Sequence, residues 1–244
     1  IRNENGFAFD FEGSNAVVQG FKVRPQGARL FNINGESNIV LQDNVMSNRD
    51  SGGGTTPAYI EDSSDITLRN NIIQEGRNYD NIRMEGNERL IFEGNVFSKG
   101  SHAAFGLYDA GDGIANQNRN IVIRGNVFAG VTSRGFDIMR NSDVLFEHNT
   151  VVNGFNGPRS GGSSNKFVVD GGIFRFNSIY RNHGGGVDVE TYNDNMISQQ
   201  TRFYNNVWKD NDEDWDEEYQ NAGLKVESYS NHDQLRDTDF MNNV

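Results

Sequence analysis

The feature that most constrains this sequence is a short segment that recurs about every 27 residues. In each copy an alternating strand pattern ends at an asparagine. The copies read "IVLQDNVM", "ITLRNNII", "LIFEGNVF", "IVIRGNVF", "VLFEHNTV", "IFRFNSIY", "TRFYNNVW" and "DFMNNV". From Asn44 to Asn206, 162 residues hold six repeat intervals, which gives a mean of 27. A fixed period of this length indicates a stack of similar units.

Alignment of the copies produces columns that contain only apolar residues. The column three residues before the asparagine contains Leu41, Leu68, Phe92, Ile123, Phe146, Phe174, Phe203 and Phe240. The column two residues after it contains Met46, Ile73, Phe97, Phe128, Val151, Ile179 and Trp208. A further strand pattern precedes each copy and contributes Ile33, Ile60, Met84, Leu107, Ile138, Val189 and Val226. We interpret these columns as side chains stacked inside a solenoid.

Each repeat therefore contains a first strand, a second strand, a bend marked by asparagine, a short third strand and a variable loop. Stacking such coils predicts an all-β, single-stranded parallel β-helix of about nine coils with three parallel sheets. We expect the coils to lie about 4.8 Å apart and the asparagines to bond from coil to coil. We also expect residues 1–244 to form one domain.

Composition limits the classes of partner and the location. The formal net charge of −12 argues against nucleic-acid binding, which needs clustered Lys and Arg. The chain has no run of 18 apolar residues, so we expect no membrane span. The absence of cysteine fits a secreted protein, extracellular or periplasmic. Because the sequence starts at Ile1 and ends inside a repeat, we expect a longer chain, with a further domain or subunit over the helix ends.

The pattern "S-x-N-I-x-I-x-x-N-x-I" resembles the right-handed parallel β-helix repeat of the pectin-lyase-like superfamily. It recurs in "SSDITLRNNII", "NRNIVIRGNVF" and "NSDVLFEHNTV". The resemblance implies a right-handed β-helix with a polysaccharide cleft along the first-strand sheet. It does not select one activity, because the superfamily includes lyases, hydrolases, epimerases, tailspikes and adhesins.

The outward residues of the second and first strands differ in character. On the second strands Gln42, Arg69, Glu93, Arg124, Glu147 and Arg175 alternate in sign, which predicts a surface ladder of ion pairs. The first strands mix aromatic, acidic and basic residues without alternation, and long segments such as 109–120 and 191–200 follow them. We therefore expect the functional groove on the first-strand sheet.

The groove residues suggest β-elimination on an acidic polysaccharide. A lyase needs a base for the proton α to a uronate carboxylate, together with groups that neutralise that carboxylate. The catalytic candidates are Arg83, His102, Tyr108, Asp137, His183 and Asp188. The substrate-binding candidates are Tyr59, Arg134, Arg140, Glu190, Tyr192 and Lys225.

Several alternatives remain open from the sequence. Asp137 and Asp188 are compatible with an inverting hydrolase, but the "DD" and "G-H-G" pattern of polygalacturonases and the "D-P-H-D" motif of mannuronan epimerases are absent. The acidic run between Asp210 and Glu218 offers oxygen ligands for Ca²⁺, as does "DAGDG" at 109–113 more weakly. A non-catalytic β-helix that binds glycans or builds a fibre is the alternative from another class. An outward apolar stripe, Val40, Ile91, Val122, Leu145 and Ile173, favours this last reading.

Overall fold

The computed structural model describes residues 6–25, 29–47, 56, 58–74, 80–100, 103–108, 117–129, 134–152, 165–182, 186–191, 198–209, 224–228 and 235–244. The regular elements of these ranges are all β-strands, and all of their pairings are parallel. They form three ladders, in which each strand pairs with its counterparts in the coils before and after. The predicted parallel β-solenoid is therefore confirmed.

The first-strand ladder holds nine of the described strands, numbered along the chain. They are β1 (Phe7–Phe11), β4 (Arg29–Asn34), β7 (Ala58–Glu61), β10 (Arg83–Glu85), β13 (Ala103–Tyr108), the first half of β16 (Arg134–Glu147), β18 (Asn165–Asp170), β21 (Val187–Thr191) and β25 (Leu224–Ser228).

The second-strand ladder also holds nine described strands. They are β2 (Ala16–Gln19), β5 (Ser37–Gln42), β8 (Ser64–Arg69), β11 (Glu88–Glu93), β14 (Arg119–Arg124), the second half of β16, β19 (Ile173–Arg175), β23 (Arg202–Tyr204) and β27 (Asp239–Met241). The short strands β22 (Ser198–Gln199) and β26 (Leu235–Arg236) extend it from the end of β18. Because β16 runs through both ladders, they form one continuous sheet.

The third-strand ladder is a separate sheet. It contains β3 (Lys22–Val23), β6 (Val45–Ser47), β9 (Ile72–Gln74), β12 (Val96–Ser98), β15 (Val127–Ala129), β17 (Thr150–Val152), β20 (Ser178–Tyr180) and β24 (Val207–Lys209). Its strands begin directly after the recurrent asparagine, as the repeat predicts.

One first strand was not expected from the sequence. The glycine- and serine-rich sequence before Lys166 reads as a loop, but β18 begins at Asn165 and adds a coil between β16 and β21. Phe167, Val168 and Val169 are consecutive apolar residues, all of them buried, so the alternation that marks the other first strands is hidden in the sequence. The register between β18 and β16 shifts between Met139 and Asn141, where β16 holds the extra residue Arg140.

The predicted inward columns fill the core. Leu41, Phe92, Phe146 and Phe203 have no exposed surface, whereas Phe240 in the last coil is 42% exposed. The rings are in contact along the axis: Phe146 and Phe174 stack with centroids 4.8 Å apart at an interplanar angle of 3°. Close packing of stacked rings is the main apolar stabilisation of such a narrow core.

The recurrent asparagines form a hydrogen-bonded ladder inside the bend. From Asn44 to Asn206, each donates its backbone N–H and its side-chain Nδ2 to Oδ1 of the asparagine in the next coil, at 2.9–3.3 Å. The same Nδ2 groups donate to a backbone carbonyl of the preceding coil, such as Asn126 to Phe92 at 2.9 Å. Phe21, the residue at the asparagine position of an earlier copy, donates its N–H to Asn44.

A second buried ladder lies at the bend between first and second strands. Asn87 Nδ2 donates to Asn118 Oδ1, and Asn118 Nδ2 donates to Asn141 Oδ1, both at 2.8 Å. This column was not identified from the sequence, although its three asparagines each lie eight residues before a ladder asparagine, at Asn95, Asn126 and Asn149. Asn118 Nδ2 also donates to the carbonyl of Tyr108 at 2.7 Å, which fixes the end of β13.

Replacement of Phe146 by alanine is expected to lower the free energy of unfolding by about 3–5 kcal/mol, as for other fully buried aromatic residues. The matched control is Phe240→Ala, which removes the same ring from the exposed end of the same column. Urea unfolding followed by circular dichroism measures both. A loss at position 146 no larger than that at position 240 would contradict the assigned core.

Replacement of Asn126 by alanine is expected to destabilise the fold by at least about 3 kcal/mol, because it leaves buried donors of Asn95 and the carbonyl of Phe92 unsatisfied. Asn243→Ala, at the partly buried end of the ladder, is the control and should cost less. Equal midpoints of chemical unfolding for the two variants would show that the interior of the ladder contributes no more than its end.

Candidate functional site on the first-strand face

The strand register aligns the predicted groove residues in one row. Tyr59, Arg83, Gly106 and Asp137 are Cα partners on successive strands. The row continues through Lys166, Asp188 and Lys225. Neighbouring positions are therefore about 4.8 Å apart, and Asp137 lies two strand spacings, about 10 Å, from Asp188. The register thus places the backbone position of Lys166 between Asp137 and Asp188.

Tyr108 lies at the centre of the described part of this face. Its hydroxyl donates to Asp137 Oδ2 at 3.4 Å and also hydrogen-bonds to Asp80. Burial, followed by the negative charges of Asp137 and Asp80, raises the pKa of Tyr108 far above its ordinary value, against a smaller opposing effect of Arg134. The phenol is therefore held protonated, which suits a hydrogen-bond donor and opposes its predicted role as a base.

Gly106 makes room for this arrangement. A Cβ atom at Gly106 would lie 2.3 Å from Cε2 of Tyr108 and 3.0 Å from Oδ2 of Asp80. The missing side chain thus lets the Tyr108 ring lie back over its own strand, beside Asp80. Asp80 is itself fixed by the backbone N–H of Ala103, which donates to Oδ1 at 3.0 Å.

Two arginines flank Tyr108 in different ways. Arg134 Nη1 lies 2.5 Å from Asp137 Oδ2 in an ion pair whose side chains are 16% and 1% exposed. Arg83 lies with its guanidinium 5.0 Å from the centroid of the Tyr108 ring and forms an ion pair with Glu85. The side chain of Arg83 is 39% exposed, so it remains accessible to a ligand from solvent.

The negative charges are concentrated next to this cluster. Burial, then the neighbouring carboxylates of Glu85 and Asp62, raises the pKa of Glu61 above its usual value. Glu61 and Glu85 are Cα partners on adjacent strands, and Asn34 Nδ2 donates to Glu61 at 3.0 Å. Like charges this close disfavour an approaching anion and favour a neutral ligand.

The other candidates fall into two groups. Tyr59 lies one strand from Arg83, and its ring is covered by the guanidinium of Arg29 at 5.0 Å from the centroid. Asp188 is 6% exposed. His102, His183 and Tyr192 lie outside the described residues, and only the backbone is described for Arg140, Glu190 and Lys225.

Asp80 and Lys166 were not identified from the sequence. Asp80 lies just before β10, the first strand of its coil, and an acidic residue at that upstream edge of the face is the signal that could have identified it. Lys166 was not identified because the glycine- and serine-rich segment before it hides the start of β18.

Both proposed calcium segments fall mainly or wholly outside the described residues. Among the side chains that the structure describes, no group of three or more His, Asp or Glu is placed to hold a metal ion. Within the same ranges there is also no helix long and apolar enough to cross a membrane.

The second-strand face has two of the ion pairs that its alternating signs predicted, Arg124 with Glu93 and Arg175 with Glu147, and a hydrogen bond from Arg69 to the neutral Gln42. Arg69 Nε donates to Gln42 at 2.7 Å, Arg124 Nε to Glu93 at 3.0 Å and Arg175 Nε to Glu147 at 2.7 Å. These charges satisfy one another at the surface. The outward apolar stripe runs beside them in register, and its member Ile91 is 36% exposed.

Tyr108→Phe is expected to leave the alkaline absorbance titration of the folded protein unchanged up to about pH 11, whereas ordinary phenols ionise near pH 10. Above about pH 10 the phenol of Tyr108 keeps its proton in the folded protein but loses it in the unfolded chain. The free energy of unfolding that this phenol contributes is therefore fully present below about pH 10 and is lost as the pH rises further. Stability should consequently fall more steeply with pH in the wild type than in the variant. As the control, the unfolded wild type in concentrated denaturant should form one more phenolate than the unfolded variant. If the folded variant formed one phenolate fewer than the folded wild type below about pH 11, the raised pKa would be contradicted.

Comparisons with known proteins agree with this architecture. The sequence model described as "Right handed beta helix region" matches residues 5–174. Among solved structures, the fold is similar to PfbA, a surface adhesin of Streptococcus pneumoniae. The two are 12% identical, and the match has a TM-score of 0.67 and covers 96% of this chain and 68% of that one. No curated protein sequence matches the chain. Since the family model covers well over half of the sequence, the chain belongs to the right-handed β-helix family.

Proposed function

We propose that this protein is an extracellular glycan-binding β-helix whose first-strand face holds a polysaccharide without cleaving it. The observation that carries the proposal is the placement of Tyr108. Its hydroxyl donates to Asp137 Oδ2 at 3.4 Å and its ring lies against the Arg83 guanidinium, so it offers a ring edge and a hydroxyl held in place for a ligand. The similarity to a surface adhesin supports an extracellular, adhesive role.

The layout of the face suits an extended ligand. Tyr59, Arg83 and Asp137 lie in one row along the helix axis and repeat at the strand spacing. An extended chain that lies along this axis would meet an aromatic ring, a guanidinium and a carboxylate in succession. Few polar groups in fixed positions are typical of specific small-ligand and sugar sites.

Charge indicates the class of polysaccharide. Around Tyr108, the described acidic side chains are Glu61, Asp80, Glu85 and Asp137, and the basic ones are Arg83 and Arg134. Arg134 is already ion-paired with Asp137. A neutral glycan avoids repulsion by these carboxylates, whereas a uronate polymer would need bridging cations. We therefore place neutral polysaccharides ahead of uronate polymers as ligands.

A polysaccharide lyase is the second candidate. The observation in its favour is that Arg83 and Arg134 lie on either side of Tyr108, where they would neutralise a uronate carboxylate. The base would then be His102 or His183 rather than Tyr108. An inverting hydrolase is less well supported, because about 10 Å between Asp137 and Asp188 slightly exceeds the separation of about 6.5–9.5 Å that such enzymes use.

Arg83→Ala is expected to weaken binding of the best ligand in a panel of neutral and uronate polysaccharides by about tenfold, as for a lost hydrogen bond to a charged group. Arg124→Ala, which removes a somewhat more exposed arginine from the second-strand ladder, is the control and should change the affinity less than twofold. Affinity electrophoresis measures both variants on the same gels.

The same panel distinguishes the two candidates. The ultraviolet absorbance of an unsaturated uronate product, formed by the wild type and lost in His102→Ala or His183→Ala, would favour the lyase. Equal losses from Arg83→Ala and Arg124→Ala, or no binding of any polysaccharide by the wild type, would overturn the proposed function.

A further inference from the structure

The corner between the second and third strands carries an aromatic residue where the fold calls for a small or turn-forming one. In every coil from Gly20 to Asn242, the residue just before the ladder position has a positive φ, between 49° and 76°. The occupants are Gly20, Asp43, Asn70, Gly94, Gly125, His148, Phe176, Asn205 and Asn242. Gly, Asn and Asp tolerate this left-handed conformation, but a phenylalanine there is an outlier.

Phe176 breaks this rule without burying its ring. It has a φ of 53° and is 43% exposed, so it adds backbone strain while presenting apolar surface to water. Apart from His148, the other residues of this column are all Gly, Asn or Asp. Strain of this kind that yields no core packing points to a function for the side chain.

The surrounding side chains extend the ring into a platform. The imidazole of His148 stacks on Phe176 with centroids 5.1 Å apart and an interplanar angle of 12°. The ring of Tyr204 meets Phe176 edge-on at 5.9 Å. Together these three rings, which we call the corner platform, cover three successive coils on one side of the solenoid.

Arg175 and Glu147 place hydrogen-bonding groups at the border of the corner platform. The guanidinium of Arg175 lies 5.7 Å from the Phe176 centroid and 5.8 Å from that of Tyr204. Its Nη1 donates to the Tyr204 hydroxyl at 2.8 Å, and its Nε donates to Glu147 at 2.7 Å. The border is therefore rigid and holds a carboxylate, a guanidinium and a phenol.

We propose that the corner platform is a carbohydrate subsite, separate from the first-strand face, in which the part of the Phe176 ring that His148 leaves exposed contacts the apolar face of a pyranose ring. A β-linked glucosyl unit has all of its hydroxyls equatorial, so each ring face presents only C–H bonds. Such C–H groups carry slight positive charge and suit the negative face of an aromatic ring. The equatorial hydroxyls then reach Arg175, Glu147 and Tyr204 at the border. The proposal does not depend on the function of the first-strand face.

Phe176→Asn tests the subsite without disturbing the coil. Asparagine occupies the same position in the coils of Asn70 and Asn205, so the variant should fold with unchanged or greater stability. Its affinity for soluble cellohexaose, measured by NMR titration, is expected to fall about tenfold. Phe176→Trp keeps a ring at the position and should retain binding. Asn70→Asp is the control in the same column, away from the corner platform.

Three outcomes would overturn the proposal. The first is binding of cellohexaose by Phe176→Asn as tight as by the wild type, or no binding by the wild type. The second is an equal loss in Arg83→Ala, which would assign the binding to the first-strand face. The third is a change in sedimentation from dimer to monomer in Phe176→Asn with sugar binding unaltered, which would identify the corner platform as a contact between two copies of the chain.

Discussion

The structure depends above all on the buried asparagine ladder. A narrow solenoid turns sharply several times per coil, and each turn leaves backbone groups without strand partners. One asparagine per coil can satisfy such groups in both the preceding and the following coil, because its side-chain amide both donates and accepts hydrogen bonds. In this chain each side chain bonds to the carbonyl of the previous coil and to the amide of the next, as Asn95 does with Leu68 and Asn126. The ladder thereby fixes the register of all three strand ladders.

A fixed register separates the faces into different chemical surfaces. The second-strand face neutralises itself through pairs such as Arg124 and Glu93. The first-strand face instead gathers buried and half-buried polar groups around Tyr108, and burial, followed by the charges of Asp137 and Asp80, raises the pKa of its phenol. The bend between the second and third strands forms a third kind of surface, since seven of the nine residues at its left-handed position are Gly, Asn or Asp. Phe176 is noticeable for this reason, and its exposed ring follows from the same bend geometry that places Asn177 inside.

Rigid stacking explains how such different surfaces coexist on one small scaffold. Each coil contacts only its neighbours, so the interior needs only one or two apolar columns per strand, and the outward positions are free to vary. Gly106 and Gly135 mark two places where the scaffold makes way for specific neighbours. A Cβ atom at Gly135 would lie 2.6 Å from Val151 and 3.0 Å from Asn165 Oδ1. Gly106 likewise opens the space that the Tyr108 ring occupies beside Asp80.

The sequence by itself determined the period, the inward columns, the position of the asparagine bend and the ion-pair ladder. These features depend on local alternation and on a repeated segment of constant length, from the second strand through the third. Only the tertiary structure decided which side chains are neighbours on the first-strand face. The loops between coils differ in length, so that successive ladder asparagines are 24 residues apart at Asn71 and 37 at Asn206. Spacing along the chain therefore does not indicate that Asp80 reaches Tyr108, or that Lys166 falls between Asp137 and Asp188. Those neighbours are set by the stacking of coils of unequal length.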